Sequence, residues 1–493
     1  MSNRRRAGLL AAACCASLLA GAFSAVSFSE ARADTLADAI SLAYQTNPTL
    51  QQQRASARIT DEGVVQAKTG FRPTVGAVLD VTGANVNPAG SGATVKSSGS
   101  SATVSVTQPL YTGGRASATL SAAEADVLSA RESLRSVEQN VLVNVVQAYV
   151  DVRRDQERLR IAKENVAVLQ RQLDESNARF EVGEITRTDV AQSQARLAAA
   201  KAGLSGAQAQ LEVSRAGYAA VVGQTAGDLA PEPTLAGLLP ASVDQAFEAA
   251  QTTNPGVTSA QYNEEAAAAR VAVAKAGYRP TISARAGIGF DAGRTSGVGS
   301  QFDDYSRTIS GAVTASVPIF TGGLTTSQVR AATERENAAR SATESAKRTA
   351  IQQVSNAWSN LLASRAQLGS NEEQVRATRI AFEGVRQEQQ VGLRTTLDVL
   401  NAQLELSNAE LALVSARRDE YVASAVVLQA MGQLDVSKLS TGTTAYDPKV
   451  SYSRVTHSVG WVPWEPVVQA IDKVGAPSTK SPSSTSVAAS KQP

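Results

Sequence analysis

Four stretches of the chain alternate apolar and polar residues with period two. Val75, Ala77, Leu79 and Val81 alternate with Thr74, Gly76, Val78 and Asp80, and Ala102, Val104 and Val106 alternate with Thr103, Ser105 and Thr107. Further on, Ile282, Ala284, Ala286, Ile288 and Phe290 share one face, and Ile309, Val313, Ala315 and Val317 share another. The pattern predicts two β-hairpins, with strands at about 72–84, 100–109, 279–291 and 306–318, apolar on one side and polar on the other. Such a sheet suits either a half-buried layer on a water-soluble core or the wall of a membrane barrel, with lipid outside and water inside.

Elsewhere the period is helical. Two short helices are expected at 36–46 and about 48–69, the second opened by Pro48. From Ala116 to about Val182 no Pro or Gly intervenes, a run long enough for roughly 100 Å of helix at 1.5 Å per residue. Leu159, Ala162, Val166, Leu169 and Leu173 step at three and four residues. The returning segment continues the spacing with Val190, Ser193, Leu197, Ala200, Leu204, Ala207 and Leu211, and its later counterpart with Val399, Ala402, Leu406, Ala409, Leu413 and Ala416. Heptad spacing with large and small residues alternating predicts closely packed antiparallel coiled coils. Long helices are expected at 115–182, 187–222, 324–391 and 395–432.

The chain is a tandem duplication. "TNPTLQQQ" (46–53) recurs as "TNPGVTSA" (253–260), "KTGFRPT" (68–74) as "KAGYRPT" (275–281), "PLYTGG" (109–114) as "PIFTGG" (318–323), and "FEVGEITRTDV" (180–190) aligns with "QQVGLRTTLDV" (389–399). One repeat is expected over 34–232 and the other over 243–435. The linker is 233–242, in a stretch broken by Pro231, Pro233 and Pro240. Residues 436–493 change character. The aromatic-containing part is expected to pack on the helices, and "APSTKSPSSTSVAASKQP" is expected to be disordered.

Each repeat carries the same corner: Pro109, Gly113 and Gly114 in one, Pro318, Gly322 and Gly323 in the other. The prolines should end strand pairing and the glycines should allow the sharp turn into a helix. Phe71, Tyr111, Tyr278 and Phe320 fall at the strand ends nearest the helices. There they suit a membrane-interface belt or a plug of the helix–sheet junction. Four strands cannot close a barrel, and an open sheet in lipid leaves unpaired edge groups costing several kcal/mol each. Other subunits must therefore complete it, either two chains with a filled interior or three with a water-filled bore.

Composition narrows the chemistry. Residues 1–33 read as a secretory signal, with Arg4, Arg5 and Arg6 before an apolar run and "ARA" at 31–33 as the cleavage site. An uncleaved anchor and a lipidated start at Cys14 are the alternatives. Both cysteines, Cys14 and Cys15, fall in the signal, so the remainder has no thiol chemistry. Without the signal the net charge falls from +2 to −1, which offers no footprint for nucleic acid. His457 stands alone, "GIGFDAG" (287–293) lacks dinucleotide spacing, and Asp303 and Asp304 lie in a loop. No catalytic constellation, metal site or cofactor is expected.

The corners, the duplication and the "VGxxTxxDV"-type turn together resemble the TolC family of outer-membrane efflux and secretion channels over about 36–435. The resemblance implies a mainly α fold with membrane β: a homotrimer whose single 12-stranded β-barrel is continued by an α-helical periplasmic tunnel. It implies an outer-membrane location in a Gram-negative cell. It implies as partners outer-membrane lipid, a periplasmic adaptor (membrane fusion) protein and an inner-membrane transporter of RND, ABC or MFS type. The tip turns Val182-Gly183 and Val391-Gly392 then match the adaptor-docking end. Asp398 matches a pore-constricting Asp, and Arg394 an Arg that holds the tip closed against the positions of Thr188 and Asp189. Two departures stand out. Asn401 replaces a second constriction Asp, and Gln389 replaces a Tyr that assists closure. The other reading of the heptads, a periplasmic coiled-coil scaffold or adaptor without a pore, leaves the two hairpins and their identical corners unexplained.

Overall fold

The computed structural model describes residues 34–87, 89–90, 94–295, 305–440, 445–458, 460 and 462–480. The expected signal at 1–33 and Asp303 and Asp304 lie outside these residues. In chain order the elements are α1 (Leu36–Thr46), α2 (Pro48–Lys68), β1 (Thr74–Val86), β2 (Val95–Tyr111), α3 (Arg115–Glu181) and α4 (Arg187–Val222). The second copy gives α5 (Val243–Thr253), α6 (Pro255–Lys275), β3 (Thr281–Thr295), β4 (Ser306–Ser316), α7 (Leu324–Gln390) and α8 (Thr396–Ala430). Three short helices follow: α9 (Val436–Leu439), α10 (Pro448–Ser458) and α11 (Glu465–Asp472). Among the described residues no helix is long and apolar enough to cross a membrane.

Local chemistry sets the boundaries. Asn47 caps α2 by accepting from the backbone of Thr49 and Leu50, with Pro48 in the first turn. Asn254 and Pro255 repeat the device at α6. Thr186 with Asp189, and Thr395 with Asp398, form reciprocal capping boxes at the starts of α4 and α8. α3 and α7 begin instead at Gly114 and Gly323, which carry no capping side chain.

The four strands form one antiparallel sheet in the order β1-β2-β3-β4. β2 and β3 join the two repeats, so β1 and β4 are its edges. The register puts the apolar residues on one face: Val75 lies opposite Val106 and Leu79 opposite Ala102. Val104 lies opposite Ile288 and Val106 opposite Ala286, and Ile288 lies opposite Ile309 and Ala284 opposite Val313. One expectation needs correction. Pro109 does not end β2; it lies opposite Ser283 at a register shift, and the strand runs on to Tyr111. A bulge accommodates a residue that cannot donate to the ladder. Pro318 does lie beyond its strand, which stops at Ser316.

The helical core sits where the two repeats meet below the sheet. α3 packs against α4, α6, α2 and α8, and α7 against α8 and α6. The principal cluster gathers Ile40, Val145, Val146, Tyr149, Tyr218, Val222 and Leu428. Tyr149 is fully buried, with its hydroxyl within hydrogen-bond reach of the carbonyls of Asp34 and Ala230. Burial pushes its pKa up to about 12, so it remains a neutral donor tying the start of the described chain to the linker region. Towards the far end, Leu169, Leu197 and Leu400 form a thinner cluster.

The aromatic-containing part of the tail packs on the helices, and the ordered chain continues into the segment expected to be disordered. α10 docks against α2, where Tyr452 stacks under Arg131 at 5.1 Å and Arg54 lies between Tyr44 and Tyr446 at 4.4 and 4.9 Å. α11 packs on β2 and α3. Ala476 and Pro477, the start of the segment expected to be disordered, lie against Gly114, where an added Cβ would approach Ala476 Cβ to 2.7 Å. Residues 481–493 lie outside the described ones.

Candidate functional site: the helical tip and the strand–helix corners

At the end farthest from the sheet, α3 turns into α4 and α7 into α8 by the same motif. Gly183 N–H donates to Phe180 O and Glu184 N–H to Arg179 O; Gly392 N–H donates to Gln389 O and Leu393 N–H to Glu388 O. Gly183 and Gly392 have φ of 79° and 80°, the left-handed region that favours glycine as a helix terminator. Both lie in open space, and Val182, Val391 and Leu393 beside them are exposed. Each tip therefore presents an apolar residue next to a glycine with nothing over it.

The carboxylates of the tip are already engaged. Asp398 Oδ2 accepts from Thr395 N–H at 3.0 Å and Thr395 Oγ1 at 2.8 Å. These two donations, and the lesser influence of Arg394, hold its pKa below the ordinary aspartate value. Asp189 Oδ2 is held the same way by Thr186, at 2.9 and 2.8 Å. Within the chain the expected pairing of Arg394 with Thr188 and Asp189 is not made. Arg394 Nε donates to Glu388 Oε2 at 2.8 Å instead, across the turn that starts α8. Asn401 accepts from Arg196 Nη2 at 2.9 Å, linking α4 to α8. Gln389 is buried, and its side-chain nitrogen has no hydrogen-bond partner among the described residues. Sequence reasoning missed Glu388 and Arg196. Both are ordinary surface residues by pattern, and only the fold brings them to Arg394 and Asn401.

The two corners are alike in sequence and different in surroundings. At the first, Phe71 is 1% exposed and packs with Ala116 and Val468, so it plugs the junction and is not a belt residue. Tyr111 is half-buried, with its hydroxyl 3.4 Å from Val474 O. At the second, Tyr278 is half exposed and donates to Thr326 Oγ1 at 2.8 Å, while Phe320 is 89% and Ile319 96% exposed.

The difference is the tail. Asp472 Oδ1 accepts from Thr112 N–H (2.6 Å), Thr112 Oγ1 (2.8 Å) and Gly114 N–H (3.2 Å). Its Oδ2 accepts from Ser117 N–H (3.2 Å) and Oγ (2.8 Å). This carboxylate supplies the N-terminal cap that Gly114 cannot. Burial pushes its pKa up, but the donations from Thr112 and Ser117 outweigh that and leave it below the ordinary value. Glu465 adds a 2.9 Å pair with Arg72, both largely buried.

Among the described residues no group of His, Cys, Asp and Glu could hold a metal ion. What the geometry offers is a sheet with two bare edges, long paired helices and a polar, apolar-tipped end.

The pattern of the family described as "Outer membrane efflux protein" matches residues 39–224 and 246–433, one match per repeat. The chain is 34% identical over 426 residues to the outer membrane efflux protein BepC of Brucella suis, covering 86% of this chain and 91% of that one. It is 26% identical over 467 residues to the outer membrane protein TolC of Escherichia coli, covering 92% of each. The outer-membrane channel OprN superposes with a TM-score of 0.70 at 23% identity, over 81% of this chain and 90% of that one, a likeness of fold. Two family matches coincide with two hairpin-and-long-helix repeats, on a fold shared with an outer-membrane channel: the chain belongs to the outer membrane efflux protein family.

Proposed function

We propose that this protein is the outer-membrane exit duct of a tripartite efflux pump or type I secretion system. Three copies close into a 12-stranded barrel continued by a helical tunnel through the periplasm. The observation that carries this reading is the four-stranded sheet with its apolar face and two unpaired edges. In lipid those edges need partners.

The internal duplication supplies a pattern for the pairing. Inside the chain, β2 pairs with β3, and α6 lies between α3 and α7. α2, the counterpart of α6, packs against α3 of its own repeat as α6 packs against α7, but has no long helix of a preceding repeat on its other side. Repeating the internal junction between chains sets the α7 of one copy beside the α2 of the next, and its β4 beside the next β1. Every edge is then used once, which only a closed ring achieves.

The tips would meet at the narrow end of the tunnel. Three Asp398 carboxylates there form an acidic ring that favours cations, with Arg394 latching the tip closed. Val182-Gly183 and Val391-Gly392 are the docking turns for a periplasmic adaptor, which couples the duct to an inner-membrane transporter. The duct carries cargo passively and performs no catalysis.

The test joins mass and current. Solubilised in mild detergent, the protein should give a particle of three chains and, in planar bilayers, discrete cation-selective steps that lose selectivity in Asp398→Ala. A stable monomer without conductance would overturn the reading.

A further inference from the structure

We propose that α11 is a lipid-surface helix: the C-terminal clamp seats an amphipathic helix in the periplasmic face of the outer membrane, beside the foot of the barrel. The inference rests on the reading of the sheet as a barrel wall.

The first observation is the division of α11 into two faces. Glu465, Val468 and Asp472, at spacings of three and four, face the protein through the Arg72 pair, the Phe71–Ala116 cluster and the α3 cap. Trp464 at the N-cap, Val467, Ile471 and Val474 just past the last turn, again at three and four, form a second stripe that nothing among the described residues covers; they are 48%, 59%, 45% and 69% exposed. At 100° per residue the two stripes point roughly 110° apart. A helix pinned by one stripe to a corner therefore shows the other sideways.

The second observation says what lies on that side. Trp464 Nε1 donates to Gln108 Oε1 at 3.0 Å. Gln108 continues the apolar row of β2, after Ala102, Val104 and Val106, and lies opposite Ala284 in the apolar row of β3. Trp464 thus stands on the apolar side of the sheet, at the strand ends nearest the helices. The exposed stripe of α11 continues the surface on which Val75, Leu79, Ile309 and Val313 are exposed. A short amphipathic helix opened by Trp, at the end of a lipid-facing surface, has the composition of an interfacial anchor. Among the described residues the second corner has no equivalent helix, so the clamp offers this contact at the first corner.

The test uses the full-length protein in phospholipid vesicles whose acyl chains are brominated near the headgroup. With Trp358→Phe and Trp461→Phe in place, Trp464 is the remaining indole. Its emission should be quenched by the brominated lipid and not by the unbrominated one, and V467N/I471N/V474N should abolish the quenching while the particle mass stays unchanged. A parallel protein with Trp464→Phe and Leu79→Trp reports the barrel wall. Quenching at position 79 without quenching at 464 overturns the lipid-surface helix alone. Absence of quenching at both positions overturns the barrel reading with it. Loss of the assembled particle in V467N/I471N/V474N would assign the stripe to a neighbouring copy and overturn the proposal.

Discussion

Replacing Asp472 by Ala removes one side chain near the C-terminus and should loosen structure 360 residues upstream. Five donations converge on this buried carboxylate, three of them from backbone N–H groups at the start of α3. A helix N-cap alone contributes about 1 kcal/mol, and hydrogen bonds to a charged acceptor about 1.5–3 kcal/mol each, not additively. The freed donors can be rehydrated once α11 lifts away, which limits the loss to the docking of that helix. An estimate of about 2–3 kcal/mol follows, equivalent to roughly 30- to 150-fold more frequent opening. Amide exchange on the full-length protein reads this directly. Thr112–Ser117 and Glu465–Asp472 should exchange faster by that factor in Asp472→Ala, while the first turn of α7, which has no such cap, should be unaffected. Asp472→Asn keeps one acceptor oxygen and should lie between. The sign with pH is fixed by a folded pKa below the unfolded one. The stabilisation is complete above the unfolded aspartate value of about 3.9 and is lost as pH falls through the lower folded value. Unchanged protection of α11 in Asp472→Ala would refute the capping argument.

Other expectations concern the far end. Gly183→Leu or Gly392→Leu puts a side chain where φ is near 80°, at about 1–2 kcal/mol of local strain. Either should abolish export in cells while the amount of inserted assembly, read by blotting of outer membranes, stays normal; export surviving both would remove the tip from adaptor docking. Arg394→Ser should raise single-channel conductance. Glu388→Ala should match it without additivity if the pair within the chain is the latch, and Asp189→Ala should do so if the partner lies on another copy. Because Thr395 holds the Asp398 pKa down, cation selectivity should persist to pH values below the ordinary aspartate range, and Thr395→Val should shift its loss to higher pH in bilayer reversal-potential measurements.

Most of the architecture was legible because it is periodic. The strands alternate, the helices step in heptads, and the corners occur twice, so each feature could be checked against its copy. Contacts without a period were not legible. Asp472 is one acid of the tail by sequence, and nothing near it names Thr112, Gly114 and Ser117 as its donors. Pro109 looked like a strand end because proline lacks an N–H, but the register shift beside it removes the need for one. At the tip, the in-chain partner of Arg394 is Glu388, six residues away across a turn. Expecting Asp189 came from the resemblance and not from local geometry.

Phe71 and its counterpart Tyr278 show how far a duplication constrains its products. Both lie at corners built from nearly the same words, yet one is sealed and the other half exposed. The strands and long helices of the repeats are alike, as a ring would require if each had to meet the other's neighbours both inside a chain and between chains. The tail has no second copy, so it can bind only one corner per chain. A ring of three such chains would keep six similar junctions in its wall and only three clamps around its foot. If α11 rests on lipid, sixfold-like geometry serves closure of the duct and threefold geometry serves its seating in the membrane. The two demands fall on different residues: the edges β1 and β4 for the first, and Asp472, Glu465 and the stripe from Trp464 to Val474 for the second.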